Sequence, residues 1–294
     1  MLYTIYYNLI RKFKLFLTNK TNNEFLSKLY VNEIHKKLKS QATNQYALSG
    51  FKVYSQNEED GIIEDIFKDI GTKNKIFCEI GIGDCIENNT HYLLLKDWKG
   101  IWIDLRSKYI NKLKGKINPD QKLLDLLIYK IDKNNINKII GNSKIINNIK
   151  SKEIDFFSID IDSYDIDCVK FLKVINPRLI CIEYNSKFRN NVKLEIKKLK
   201  NFNWKYNDYM GSSLCSINEM MNKKNYNLVA TNITGSNAFF VRKDLIKKCK
   251  TYGQTLEQVY SPPNYELFNY NVAHAPTNKY LIDKLNAAKN INSN

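Results

Sequence analysis

Residues 75–84 read KIFCEIGIGD, an apolar run that ends in two closely spaced glycines. The run predicts a buried β-strand over residues 75–80. Gly81 and Gly83 let the backbone turn tightly and approach a ligand that a Cβ atom would block. In an open α/β sheet such a ligand lies outside the carboxyl ends of the strands. The segment therefore predicts an early strand of an α/β sheet with a binding site at its end.

Downstream of this segment, short β-type runs alternate with helical stretches. Further strands are predicted over residues 100–103, 126–131, 154–161 and 178–183, and helices over residues 88–96, 107–116, 165–174, 193–200 and 213–223. Strands separated by helices indicate a parallel sheet that helices cover on both faces. Two final strands, 226–233 and 237–241, are joined by Thr234-Gly235-Ser236, which is typical of a hairpin turn. The expected fold is α/β, with a mostly parallel seven-stranded sheet ending in an antiparallel hairpin.

Three segments are expected along the chain. Residues 50–250 form the α/β domain, residues 1–49 a basic helical extension, and residues 251–294 a loop-rich C-terminal tail. In the extension, apolar residues recur at helical spacing between basic ones, which suits a helix on an anionic membrane surface. The same stripe suits a helix packed on the domain or on a second subunit, which is the more common case. Peripheral membrane contact, where it occurs, is expected through residues 1–20.

The charge of the chain argues against nucleic acid as the partner. The 294 residues include 46 Lys and Arg against 30 Asp and Glu, a formal charge of +16, but only five of the cations are Arg. Arg is the side chain that binds bases and phosphates in a bidentate manner. We therefore interpret the charge as mostly solvated Lys and expect a small-molecule partner.

The cysteines and the hydropathy pattern indicate a cytoplasmic protein. The six cysteines include no Cys-x-x-Cys pair, and they predict buried thiols in a reducing compartment. No run of 18 uncharged apolar residues occurs, so no transmembrane helix is predicted. With the basic extension, the expected location is the cytoplasm, including the inner face of a membrane.

An acidic residue ends the strand that follows the glycine turn. Asp104 ends the second predicted strand, 21 residues after Gly83, where a carboxylate can accept both hydroxyls of a bound ribose. A dinucleotide fingerprint would need a third glycine at position 86, which is Ile86. The pattern therefore favours an adenosine ligand without a pyrophosphate over a plain strand-to-helix turn with a surface Asp.

A second group of polar residues is predicted at the ends of the fourth and fifth strands. Asp160 and Asp162 are two residues apart, as are Glu183 and Asn185, so each pair is expected on one side of its strand. Carboxylates brought together repel one another unless a cation or a proton intervenes. Asp160, Asp162 and Glu183 are thus candidate ligands of Mg²⁺ or a similar divalent cation. Without a metal, Asp162 or Glu183 is a candidate general base, and Asp162 is alternatively a helix cap.

Several motifs resemble those of FkbM-like methyltransferases, which are class I S-adenosylmethionine-dependent enzymes. Residues 55–61 (SQNEEDG) resemble the Ser-Gln-x-Gly-Glu-Asp-Gly lead-in of that group, although Asn57-Glu58 departs at its glycine. The other matching segments, in order, are 79–84 (EIGIGD), 87–90 (ENNT), 158–162 (SIDID), 182–185 (IEYN), 211–214 (GSSL) and 235–242 (GSNAFFVR). The resemblance spans roughly residues 50–250 and implies a Rossmann-like methyltransferase domain that acts on a hydroxyl group, often of a sugar.

The resemblance also implies roles for individual residues. Glu79, Gly81, Gly83 and Asp104 would contact S-adenosylmethionine, and Asp132 at the end of the third strand would meet the adenine edge. The four residues expected to meet the substrate are Tyr209, Ser212, Asn237 and Arg242, and a reserve base is His91. Asp160, Asp162, Glu183 and Asn185 remain the catalytic candidates.

The sequence is compatible with three functions. The leading one is an O-methyltransferase that acts on a sugar or another polyhydroxylated small molecule, such as a precursor of a surface polysaccharide. The second is a metal-dependent glycosyltransferase, because Asp160-x-Asp162 is an Asp-x-Asp motif at a strand end. The third is a non-catalytic basic protein that binds a membrane surface or nucleic acid through charge alone.

Overall fold

The computed structural model describes residues 20–149, 151–196, 210–264, 267 and 278–287. Seven strands form a single sheet in the order β3-β2-β1-β4-β5-β7-β6. They are β1 (Ile76–Ile80), β2 (Lys99–Asp104), β3 (Leu124–Ile128), β4 (Glu153–Ile159), β5 (Asn176–Glu183), β6 (Tyr226–Thr231) and β7 (Asn237–Arg242). Only β7 runs antiparallel to its neighbours β5 and β6. The expected Rossmann-like sheet, mostly parallel and ending in a hairpin, is confirmed.

Helices cover both faces of the sheet, as expected. The described α-helices are α1 (Lys20–Ser40), α2 (Glu59–Ile70), α3 (His91–Leu95), α4 (Ser107–Lys114), α5 (Ile136–Gly141), α6 (Lys144–Asn147), α7 (Asp165–Phe171), α8 (Leu214–Lys223), α9 (Leu256–Val259) and α10 (Lys279–Ala287). Alternate strand residues point to opposite faces, so Phe156 packs with α2, α3, α4 and α10. Its neighbour Phe157 packs with α5, α6, α7 and α8 on the other face.

Part of the N-terminal extension packs on the domain. Val31, Ile34 and Leu38 of α1 contact a small cluster that contains Ala47 and Ile233. Residues 1–19, where membrane contact is predicted, lie outside the described residues. None of the described helices is long and apolar enough to cross a membrane. All six cysteines are free thiols, and all but the half-buried Cys215 are buried.

One predicted helix is wrong over the residues that the structure describes. Residues 193–196 of the expected helix 193–200 are not helical, and residues 197–200 lie outside the described part. The backbone of Leu194 pairs with that of Ser213, and Glu195 forms an isolated antiparallel bridge with Ser212. The backbone groups of this segment therefore bond to the chain before α8 instead of to one another.

At the amino ends of the strands, a buried carboxylate holds the loop that leads into β1. Asp155 is fully buried and accepts hydrogen bonds from the amides of Lys73, Asn74 and Lys75 at 2.6 to 2.9 Å. The guanidinium of Arg178 lies 3.3 Å from the same carboxylate. This group lies far from the carboxyl edge of the sheet, so a substitution in it measures the stability of the fold without changing the candidate site.

We expect Asp155→Ala to lower the free energy of unfolding by about 3–5 kcal/mol, because it leaves three amides without their acceptor and removes one of the two carboxylates that face the Arg178 guanidinium. Urea denaturation measures this change. The control is Glu33→Ala, which removes an exposed ion pair with Lys36 and should change stability by less than about 1 kcal/mol. An Asp155→Ala protein as stable as the control would contradict the role given to this carboxylate.

Candidate cofactor and catalytic site

The glycine turn after β1 packs directly on the end of β4. Gly81 and Gly83 have positive φ angles of 90° and 60°. A Cβ atom on Gly81 would lie 1.6 Å from the carbonyl oxygen of Asp160, so only glycine fits there. The turn thus has the tight geometry that the sequence predicts, and both glycines stay candidates for contact with a cofactor.

Glu79 holds a loop rather than offering a free carboxylate to a ligand. It is 4% exposed and accepts hydrogen bonds from the Asn88 side chain and the Asn89 and Thr90 amides at 2.8 to 3.0 Å. The Thr90 hydroxyl also donates to it and accepts from the indole N–H of Trp102. These contacts explain why helix α3 begins at His91 instead of residue 88, and the contact of Glu79 with a cofactor stays a prediction.

Asp104 lies at the expected position, at the carboxyl end of β2. Its carboxylate accepts a hydrogen bond from the Gly83 amide at 3.0 Å. The Arg106 guanidinium donates to both of its oxygens at 3.1 Å, and the Arg106 amide donates at 2.7 Å. Asp104 therefore joins the second strand to the glycine turn, and the exposed Arg106 side chain covers it.

A cavity of about 270 Å³ opens at this edge of the sheet. Its lining residues are Ile80, Gly81, Asp104, Leu105, Arg106, Tyr129, Lys130, Ile131, Asp160, Ile161, Asp162 and Ser163. Leu105 and Tyr129 are 63% and 51% exposed, which is unusual for large apolar side chains next to a strand end. An apolar and an aromatic wall beside a carboxylate suit a flat heteroaromatic ring attached to a ribose.

Leu105, Arg106 and Tyr129 were missed by the sequence argument. The available signal was their position, because each lies one or two residues after the end of a predicted or observed strand. Asp132, predicted to meet the adenine edge, is found in the turn before α5. Its carboxylate accepts hydrogen bonds from the amides of Asn134 and Asn135 and so organises the turn before α5, and it does not line the cavity.

The acidic cluster predicted at the ends of β4 and β5 is present. One carboxylate oxygen from each of Asp160, Asp162 and Glu183 lies within 4.8 Å of the others. Asp162 has a positive φ of 54° and lies in a turn after the end of β4. This turn brings Asp162 to the cluster, whereas the sequence argument had assumed the alternation of side chains along a strand. Asp160 and Glu183 share a hydrogen bond.

The chemistry of the cluster follows from its burial. Desolvation and the neighbouring carboxylates Asp165 and Asp162 raise the pKa of Asp160 to about 8. The same causes raise the pKa of Glu183 well above its ordinary value. One oxygen of Glu183 is buried and has no hydrogen-bond partner among the described residues. The pair is therefore arranged to hold a proton, or to meet a cation or a ligand donor that enters the cavity.

Asp162 does not cap helix α7, whose N-cap residue is Tyr164 and has no side-chain cap hydrogen bond, and Asp165 in the first turn of α7 fixes the preceding turn. Asp165 is 2% exposed and accepts hydrogen bonds from the amides of Ile161 and Ser163 at 2.8 and 3.1 Å. It thereby fixes the turn that carries Asp162. Asp165 was missed because nothing in its spacing separates it from the acids on either side.

Asn185 binds the segment that leads into α8, and its catalytic role stays a prediction. Its side-chain amide donates to the Met210 carbonyl at 2.9 Å, and its backbone amide donates to the Ser212 carbonyl at the same distance. Ser212 is 2% exposed, with a buried hydroxyl that has no partner among the described residues. Asn185 therefore anchors the segment that leads into α8 and acts on the site through it.

The predicted substrate residues divide between the two edges of the sheet. Asn237 lies opposite Glu183 in the register of β7 and β5, and its amide donates to the buried Glu59 at 2.9 Å. Arg242 is a correction, because it lies at the other end of β7 and pairs with Glu153 and Asp244. Tyr209 lies outside the described residues.

His91 is buried at the start of α3. Its ring stacks on Tyr54 with the centroids 3.8 Å apart, and its Nδ1 atom lies 3.2 Å from the carbonyl oxygen of Ile86. Burial lowers its pKa to about 4, so the ring is neutral at physiological pH. It supports the loop that Glu79 holds.

Comparison with known proteins yields only distant structural matches. No family model and no curated protein matches the sequence. Magnesium protoporphyrin IX methyltransferase from Synechocystis PCC 6803, with bound SAH, is 10% identical, with 64% of this chain and 83% of that chain covered and a TM-score of 0.42. A putative S-adenosylmethionine dependent methyltransferase from Listeria monocytogenes is 12% identical, with 62% and 95% covered and a TM-score of 0.37. These values are too low to assign an activity, and the fold assignment depends on the strand order itself.

We expect Asp160→Asn to weaken the dependence of stability on pH. The raised pKa means that folded Asp160 keeps a proton that the unfolded chain releases above its ordinary pKa of 3.8, so the free energy of unfolding falls as the pH rises from about 4 to about 8. Asn cannot titrate, so the variant should lose less stability across this window, as measured by urea denaturation. The control, Asp97→Asn at the amino end of β2, should retain the wild-type slope. An unchanged slope in Asp160→Asn would contradict the raised pKa.

Proposed function

We propose that this protein is an S-adenosylmethionine-dependent O-methyltransferase that acts on a sugar or another polyhydroxylated small molecule. The observation that carries the proposal is the cavity at the carboxyl edge, where Gly81, Asp104 and the two aspartates of the acidic cluster, Asp160 and Asp162, line one space. The seven-stranded order with an antiparallel β7 supports it, as do the FkbM-like motifs. A precursor of a surface polysaccharide is the acceptor class that those motifs favour.

The residues of the cavity fit an adenosine group. The Asp104 carboxylate would accept the ribose hydroxyls, in exchange for part of its contact with the Arg106 guanidinium. Leu105 and Tyr129 would flank the adenine ring with their exposed surfaces. Gly81 lines the cavity and lets the turn pack on Asp160. The Gly83 amide orients the Asp104 carboxylate, and Glu79 fixes the 88–90 loop.

The acidic cluster would handle the proton of the acceptor. S-adenosylmethionine supplies a methyl group that is bound to a positively charged sulfur and is therefore open to attack by an oxygen nucleophile. The acceptor hydroxyl would give its proton to a deprotonated carboxylate of the Asp160–Glu183 pair as its oxygen bonds to the methyl carbon and the carbon–sulfur bond breaks. Carboxylates with a raised pKa are suited to this step, because general bases work best near the operating pH.

A divalent cation is the second way in which the cluster would act. Three carboxylates within 4.8 Å of one another fit the oxygen donors that Mg²⁺ prefers. The unpartnered oxygen of Glu183 would also be satisfied by a cation. Asp160, Asp162 and Glu183 would hold it, and the cation would lower the pKa of a bound hydroxyl.

The proposal predicts that the full-length protein binds S-adenosylmethionine in a calorimeter. We expect Asp104→Ala to weaken this binding roughly tenfold or more, because it removes a charged acceptor of hydrogen bonds. Asp97→Ala, which changes an exposed aspartate just before the same strand, should bind as the wild type does. Product mass after incubation with candidate acceptors should show the gain of one methyl group. No binding, or equal binding by both variants, would refute the proposal, and binding of a nucleotide sugar instead would favour the glycosyltransferase.

Metal dependence is tested by exhaustive chelation of the active protein. If a cation serves the cluster, the activity should fall sharply and return when Mg²⁺ is added. If the Asp160–Glu183 pair acts by proton transfer alone, the activity should be unchanged by chelation. In that case Glu183→Gln should still abolish most of the activity, because Gln cannot accept the proton.

A further inference from the structure

A second cavity lies between α1 and the segment that precedes α2. Its volume is about 450 Å³, within the range of roughly 300–1,000 Å³ that is typical of small-molecule sites. The residues that line it are Lys28, Val31, Asn32, His35, Gly50, Phe51, Lys52, Gln56, Asn57, Glu58, Thr234 and Leu267. None of these residues lines the cavity beside Asp104, so this is a separate space.

Two buried polar atoms in the walls of this cavity have no hydrogen-bond partner among the described residues. They are the Oε2 atom of Glu58 and the Nε2 atom of His35. Glu58 is also hydrogen-bonded to the backbone of Ile233, so its carboxyl group is held in position. A buried polar group without a partner costs free energy, which a ligand in the cavity would recover.

The charges around the cavity favour an anion. Lys28 and Lys52 both line it, and the Lys52 ammonium is held by the Gln56 carbonyl at 3.0 Å and by Glu87 at 3.1 Å. Burial and the adjacent charge of Glu59 raise the pKa of Glu58 to about 8, so at neutral pH its carboxyl group is mostly protonated and able to donate. The cavity therefore combines Lys28, the Glu87-paired ammonium of Lys52 and a neutral donor.

The remaining wall suits a sugar ring. Phe51 is 39% exposed and Val31 lies beside the same space, so the cavity has an aromatic and aliphatic side. Asn32 and Thr234 add side chains that hydrogen-bond to hydroxyl groups. A molecule with an apolar C–H face, several hydroxyls and one anionic group matches all of these features.

We propose that this cavity binds a sugar-sized molecule that carries a carboxylate or a phosphate. The anionic group faces Lys28 and Lys52, a hydroxyl oxygen accepts from Glu58, and the C–H face of the ring packs on Phe51. The site does not depend on methyl transfer. Hydrogen bonds connect the site to the acidic cluster. The Asn57 amide and the Asn237 side chain both donate to the Glu59 carboxylate, and Asn237 lies opposite Glu183 in the sheet.

The test is calorimetry of the full chain with glucuronate, glucose 6-phosphate and glucose, without S-adenosylmethionine. We expect at least one acidic sugar to bind roughly tenfold or more tightly than glucose, because hydrogen bonds to charged groups are the stronger ones. The tighter of the two acids identifies the anionic group. Absence of binding by both acids at millimolar concentration, or equal binding of glucose, would overturn the proposal whether or not the protein is a methyltransferase.

Variants assign the binding to this cavity. The double substitution Lys28→Ala and Lys52→Ala should abolish the preference for the acidic sugars, whereas Lys37→Ala on an exposed part of the same helix should not change it. Glu58→Ala should weaken binding roughly tenfold, and Glu58→Gln, which keeps a donor, should restore most of it. Wild-type affinities unaffected by the double substitution would show that the sugar binds elsewhere.

A pH series gives a readout that a structural role of Glu58 would not produce. Wild-type affinity should fall as the pH rises through about 8 and Glu58 ionises, and Glu58→Gln should show no such fall. The other charged or titratable groups facing Glu58 are Glu59, His35, Lys28 and the Lys52–Glu87 pair. Burial lowers the pKa of His35, so this ring titrates well below the window. Parallel curves for wild type and Glu58→Gln would contradict the role given to Glu58.

Discussion

The carboxyl edge of the sheet is organised by the close approach of the Gly81 turn to the backbone of Asp160. The Asp160 amide donates to the Ile80 carbonyl at 3.0 Å, and the space for a Cβ on residue 81 is occupied by the Asp160 carbonyl. Because of this approach, the glycine turn and the acidic cluster are neighbours. The cavity beside Asp104 exists because these two parts meet, so one backbone contact joins both halves of the candidate site.

The acids of this edge differ in what they bind, although they look alike in the sequence. Glu79 and Asp165 accept hydrogen bonds from backbone amides and thereby fix the 88–90 loop and the turn after β4. Asp160 and Glu183 have too few donors to satisfy them, and their pKa values are raised. Burial raises the pKa of Glu79 and of Asp165 as well, but the hydrogen bonds donated to them oppose this rise, and these two acids support the site. Asp160 and Glu183 are free to exchange protons or to meet a ligand.

The fold could be predicted largely from the sequence, because the strands are buried and their apolar runs are uninterrupted. The meeting of Asp160 with Glu183 was also predictable, since parallel strands end at one edge. What could not be predicted was which donors each side chain meets. Asp132 and Asn185 have the residue types of a site but bind nearby backbone groups, and these contacts depend on turns whose geometry has no periodic signal. Arg242 was misassigned because β7 is antiparallel, which puts its last residue at the opposite edge.

The two cavities differ in the charged residues that line them, although the whole chain carries a net charge of +16. The cavity beside Asp104 is lined by Asp160, Asp162 and Lys130, with the Arg106 guanidinium paired with Asp104, and a cationic group would meet its opposite charge at the exposed Asp162. The cavity beneath α1 contains Lys28 and Lys52 and favours an anionic one. Under the two proposals, a positively charged sulfonium and an acidic sugar would each meet the opposite charge. Since like charges would repel each ligand from the wrong cavity, the same electrostatic arrangement that attracts the two molecules would also keep them apart in their own sites.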